Sequence, residues 1–228
     1  MIRICRYFSL PFLLLICIQF ADAQSGFDVN MGFGAAQNKS LGSVDINTLN
    51  SCNTVSSTTC ATTPDLKAFM LGFGANLMLW KHLGIGGEVK VEPTRQDYLV
   101  FQQQSAGQFG DVLQSRVTFF DFNGIYQPIS SKRAALQLAG GIGGANVKFY
   151  EHLSSSSSVL GNSNQTQFFG SSNHFQLHAG AGVQIYLTDH IFIRPQFDVH
   201  YVHNFSQYGR NVVPSEMVWL GYSFGDRP

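Results

Sequence analysis

Apolar and polar residues alternate over long stretches of this chain. Phe27, Val29, Met31, Phe33 and Ala35 share one parity; Asp28, Asn30, Gly32 and Gly34 share the other. Further along, Phe69, Leu71, Phe73, Ala75, Leu77 and Leu79 stand against Gly72, Gly74 and Asn76. Between 175 and 187, Phe175, Leu177, Val183, Ile185 and Leu187 stand against Gln176, His178, Gly180, Gly182 and Gln184. A period of two marks β-strands whose two faces meet unlike surroundings. Eight such stretches are predicted, at about 26–37, 65–80, 83–96, 112–128, 134–151, 173–188, 190–205 and 215–224. Several exceed the usual 5–6 residues. They match the roughly 9–11 residues that a tilted strand needs to cross a bilayer.

The connections alternate as well. "WKHLG", "QPISSKR" and "LTDH" read as tight turns, whereas the segments around 39–64, 97–111 and 152–172 are long and polar. With eight antiparallel strands, every long loop falls on one side and both termini on the other, as in outer-membrane barrels. The fold class expected is all-β, an eight-stranded antiparallel up-and-down transmembrane barrel.

An alternating sheet could also close as a soluble lipocalin-type barrel, with its apolar face inside. Glycine decides against that. Gly32, Gly34, Gly72, Gly74, Gly86, Gly180 and Gly182 all lie on the polar face. Small residues make room where a narrow barrel encloses long polar side chains, and on a water-facing strand they only weaken it. The polar face is therefore the inside. The expected lumen charge network is Asp28, Glu88, Lys90, Glu92, Asp121, Lys148, His178, Arg194, Asp198 and His200. Such charges must pair in a narrow interior. Two places break the pattern. Leu136, Leu138 and Ile142 are even, but Ala145, Val147 and Phe149 are odd. A bulge at Gly143–Gly144 would restore one face and leave Phe149 among the outer aromatics. Pro195 cannot donate to a ladder, so a second bulge is expected there.

Composition agrees with a membrane setting. The 228 residues carry a formal net charge of zero, and only 12% are charged. That balance excludes nucleic acid as an expected partner. Arg3 and Arg6, the apolar run 10–20 and Ala21 and Ala23 read as a secretory signal peptide spanning 1–23, leaving 24–228 as the barrel domain. Cys52 and Cys60, eight apart in a polar stretch of an exported chain, are expected to form a disulfide that pins a loop.

The segment "AGAGVQIYLTDHIFIRPQFDVHY" (179–201) resembles the penultimate hairpin of small OmpA/OmpX-type outer-membrane barrels, and "VWLGYSF" (218–224) resembles their terminal assembly signal. The resemblance implies a barrel in a bacterial outer membrane, in contact with lipid and lipopolysaccharide. A non-enzymatic monomer follows, structural or presenting loops 39–64 and 152–172 to an extracellular partner. A narrow gated channel and a lipid A-modifying enzyme are the alternatives. For catalysis, Asp198, His200 and Ser206 share the inward face, but His200 and Ser206 lie about 20 Å apart along one strand. His178 and His200 could approach a metal, yet satisfied lumen histidines are the simpler reading. No cofactor motif is present: "GGIGG" is not followed by a helical pattern.

Overall fold

A computed structural model describes residues 26–45, 49, 52, 60–102, 108–157 and 161–225. The expected leader, 1–23, lies outside the described residues. Eleven strands are present: β1 (Phe27–Asn38), β2 (Ser43–Asp45), β3 (Cys60–Thr62), β4 (Leu66–Met78), β5 (Leu83–Val91), β6 (Gln96–Gln102), β7 (Gln108–Ser130), β8 (Ala134–Ser157), β9 (Gly161–Tyr186), β10 (Ile191–Val202) and β11 (Val212–Phe224). Among the described residues there is no helix. Eight strands close a ring in the order β1, β4, β5, β7, β8, β9, β10 and β11, every neighbour antiparallel. The first and last strands close it, with Phe27 opposite Phe224 and Ala36 opposite Ser215. Closure leaves no free edge within the wall, the condition for backbone polar groups in lipid.

Side-chain direction follows the alternation. β1 exposes Phe27, Val29, Met31 and Phe33 and buries Asp28 and Asn30; β11 exposes Val218, Leu220, Tyr222 and Phe224. Phe73, Phe122, Leu177, Val183 and Phe197 continue this apolar band around the ring. At its lower edge sit Phe27, Tyr126, Tyr222 and Phe224, beside the short turns.

Above the band the polarity inverts. In β7, Phe120 and Phe122 face out and Asp121 faces in. Four residues earlier, Arg116 and Thr118 face out, while Val117 and Phe119 are buried. The same inversion occurs in β8, where Ala145, Val147 and Phe149 are buried and Lys148 is exposed. The expected bulge at Gly143–Gly144 is not there: Gly143 faces Asp121 and Gly144 faces Phe120 in unbroken register. The strand runs straight and its surroundings change. Once the outer face leaves hydrocarbon for water, polar residues belong outside and apolar ones pack within. Lys148 is therefore an outer-rim cation, not a lumen charge, and Phe149 belongs to the interior. An irregularity in register does occur on β8 and β9, between Phe149 and Tyr150.

Pro195 forms no bulge either. The register from Ile193 to Gln196 is continuous against β11, and the β9 side omits only the rungs at Arg194 and Pro195. The ring's missing N–H is absorbed as an unmade bond rather than as an extra residue. The polar segment 152–172 is largely strand, since β8 and β9 stay paired from the barrel to Ser157 and Gly161. Likewise β6 pairs with the upper part of β7.

Cys52 and Cys60 are bonded, with Cα atoms 6.2 Å apart. Cys60 opens β3, which pairs with β2 outside the ring. Replacing both by serine should therefore leave the barrel's denaturation midpoint unchanged. Limited proteolysis should cut between β2 and β3 faster, because a short closed loop is stabilised locally by about 2–3 kcal/mol.

Candidate functional site

The lumen is filled in three tiers, each set by inward positions on neighbouring strands. The lowest is polar. Gln184 on β9 bonds Asp28 on β1 at 3.3 Å and receives Gln127 of β7 at 3.5 Å.

The middle tier holds the charges. Lys90 on β5 donates to Asp198 on β10 at 2.6 Å and lies 3.5 Å from Glu88. Arg194 donates to Glu88 at 2.9 Å and to Gln137 at 3.0 Å, with its guanidinium 5.5 Å from the Trp219 ring. His178 bridges Asp198 at 3.0 Å and Asn123 at 2.8 Å. Gln196 donates to Asp198 at 2.7 Å, and Gln176 donates to Asp121. His200 is stacked between Phe119 and His178, at 4.8 and 4.9 Å. Glycines make the space: a Cβ on Gly180 would lie 2.1 Å from an Asp198 carboxylate oxygen.

Seven of the expected lumen residues thus converge: Glu88, Lys90, Asp121, His178, Arg194, Asp198 and His200. Asp28 faces inward one tier below. Glu92 lies above, taking the backbone N–H of Val117 at 2.9 Å. Sequence reasoning missed Asn123, Gln137, Gln176, Gln196 and Ser215. Their inward parity was readable, but an uncharged side chain has no signal of its own until its partner is known.

The top tier is apolar. Met70, Val117, Phe119, Val147, Phe149, Val202, Val213 and Met217 are buried together. Tyr98, Phe205 and Tyr208 lie over them, with Tyr98 edge-on to Phe149 at 5.0 Å and to Tyr208 at 5.6 Å. Tyr208 donates to Ser115 at 2.8 Å and Tyr98 donates to the Gln207 carbonyl. Burial pushes both phenols above their usual pKa, so both stay donors.

One arrangement has the order of a nucleophile, base and acid. Ser215 lies 3.2 Å from His200 Nε2, and Asp121 lies 3.8 Å from His200 Nδ1. The expected Ser206 takes no part in it. Two features oppose catalysis. Ser215 is 2% exposed, leaving no approach for a substrate. The Lys90 ammonium also stands 3.4 Å from the same Nε2. Donor atoms of Asp121, His178 and His200 lie within 4.8 Å of one another, as do those of Glu88, His178 and Asp198. A cation entering either group would meet the Lys90 charge already there.

Glu92 stands above the band, and burial pushes its carboxyl from 4.5 up to about 7. The unfolded chain loses this proton near pH 4.5 and the folded chain near pH 7. Stability therefore falls as pH rises through that window. Glu92→Gln should flatten the decline and leave the variant more stable than the parent above pH 7, as read from urea midpoints across pH.

A sealed ring of eight with an apolar outer band is a known solution. The chain aligns with the structure of Ail, the attachment invasion locus protein of Yersinia pestis, in complex with the heparin analogue sucrose octasulfate. There the TM-score is 0.50 at 15% identity, over 88% of this chain and 99% of that one. The fold is that of the small outer-membrane barrels. OprG from Pseudomonas aeruginosa aligns at 16% identity and TM-score 0.47, over 91% of this chain and 99% of that one. Neisserial surface protein A aligns at 15% and 0.42, over 87% and 96%. No protein-family model and no curated protein matches the sequence.

Proposed function

We propose that this small outer-membrane barrel is a non-conducting, non-enzymatic scaffold that carries a β platform above the cell surface for an extracellular partner. The observation that carries this reading is the mismatch between wall and platform. β7, β8 and β9 have 23, 24 and 26 residues, against the roughly 9–11 needed to cross. The surplus lies on the side of the long connections, and β6 widens it. Paired strands order these residues before any partner arrives, which lowers the entropic cost of binding. Below, ion pairs and an aromatic cap fill the lumen, as eight strands dictate.

The heparin analogue bound to Ail suggests a first ligand class to test, sulfated polysaccharide. Cells displaying the barrel should bind immobilised heparin, and cells displaying a form shortened between Tyr150 and Phe168 should not, while both forms resist heat equally. Equal binding by both would refute the platform. In planar bilayers the intact barrel should give no steps above background; regular ohmic steps would favour the channel.

A further inference from the structure

On the outer wall, β4, β1 and β11 lie side by side and carry two grooves, one above the other. The upper, of about 480 Å³, is lined by Lys39, Lys67 and Arg210, with Asp65, Gln37 and Pro214. All three cations are exposed. Among the described residues, none of the three is ion-paired. Asp65, the one carboxylate in the lining, accepts the Ser40 N–H at 3.0 Å.

The lower groove, of about 810 Å³, is apolar; its lining includes Phe33, Ala35, Phe69, Pro195 and Phe197. Register joins the two grooves. Gln37 faces Lys67, and Ala35 faces both Phe69 and Glu216. A step of two residues, about 7 Å, therefore leads from cations to hydrocarbon. This step crosses the polarity inversion that marks the outer edge of the apolar band. At the crossing stands Glu216, exposed on the outer face and lining the lower groove. A carboxylate bordering lipid is costly unless hydrogen-bond donors meet it.

The ligand that fits has negative charge at the top, O–H or N–H donors beneath it, and a hydrocarbon chain below. We infer that this wall binds a phosphorylated, acylated glycolipid of the outer leaflet. Lys39, Lys67 and Arg210 hold its phosphate, and an acyl chain lies over Ala35 and Pro195. Arg210 offers the paired N–H donors that phosphate favours, and the two lysines add point charges on flexible stems. Glu216 accepts hydroxyl or amide hydrogens where sugar joins chain. A phosphatidylglycerol headgroup supplies the charge and the chains but not the amide donors.

Native mass spectrometry of the detergent-purified barrel with bisphosphorylated lipid A tests this. One lipid A should stay bound, at least about tenfold more tightly than dephosphorylated lipid A, phosphatidylglycerol or phosphatidylcholine. The triple variant Lys39→Gln, Lys67→Gln, Arg210→Gln should lose at least about tenfold, since each basic residue near an anionic surface is worth about fivefold. Ala35→Phe, which fills the groove and leaves every charge, should weaken binding several-fold, and Lys67→Arg should retain it. An unheated electrophoretic shift checks folding of each variant. Binding by the triple variant within twofold of the parent would overturn the inference, as would equal retention of dephosphorylated lipid A. Full displacement by millimolar inorganic phosphate would reassign the upper groove to free anions, and displacement by sucrose octasulfate to sulfated glycans; either also overturns it.

Discussion

Lys90→Met should cost the barrel about 3–5 kcal/mol, the usual result of removing one partner from a buried ion pair. Lys90 is fully buried, bonded to Asp198 at 2.6 Å and 3.5 Å from Glu88. The middle tier holds three carboxylates, Glu88, Asp121 and Asp198, against two permanent cations, Lys90 and Arg194. Without the ammonium, Arg194 alone must serve all three. Methionine keeps much of the volume, so the loss reports charge rather than a cavity. Urea titration of refolding into lipid vesicles should show a large drop in midpoint. The double variant Lys90→Met, Asp198→Asn removes one charge of each sign and should recover at least about 2 kcal/mol, as coupled neighbours do. A single variant within about 1 kcal/mol of the parent would mean that water reaches this tier, contrary to the sealed lumen.

Gly72→Leu should be nearly as damaging, through packing. Trp219 is fully buried and lies across two glycines. A Cβ on Gly72 would stand 2.5 Å from its ring, and one on Gly32 would stand 2.8 Å from it. Overpacking of this kind costs about 1–3 kcal/mol or more. Trp219→Ala alone should cost about 3–5 kcal/mol through the cavity it leaves. Together the two changes partly compensate, and their combined cost should fall short of the sum by at least about 1 kcal/mol. Strict additivity would show that something other than Trp219 requires glycine at 72.

The middle tier was legible because charge on an inward parity has few interpretations. Arg194, Asp198 and His200 sit at alternate positions of one strand, as do Glu88 and Lys90 on another, so convergence followed from closing the ring. Lys148 was misplaced for an instructive reason. Its parity was assigned by assuming one polarity rule for the whole strand, and a bulge at Gly143–Gly144 was invoked to preserve that rule. Ala145, Val147 and Phe149 in fact record where the strand leaves the bilayer. The extended hairpin of β8 and β9 was hidden differently. With both faces in water, Ser, Asn and Gln need not alternate with anything, and backbone pairing alone holds the strand.

From the chain alone came the strand number, the antiparallel order, the outward band and the disulfide, because each depends on local spacing or on a solvent that every strand shares. Which charges pair was decided by the closed ring, since Lys90 and Asp198 are 108 positions apart in sequence and meet at 2.6 Å only after closure. The apolar cap, the Ser215–His200–Asp121 alignment and the stacked grooves on the wall have the same origin. Each depends on the stagger between strands, a distance that no single strand's pattern contains.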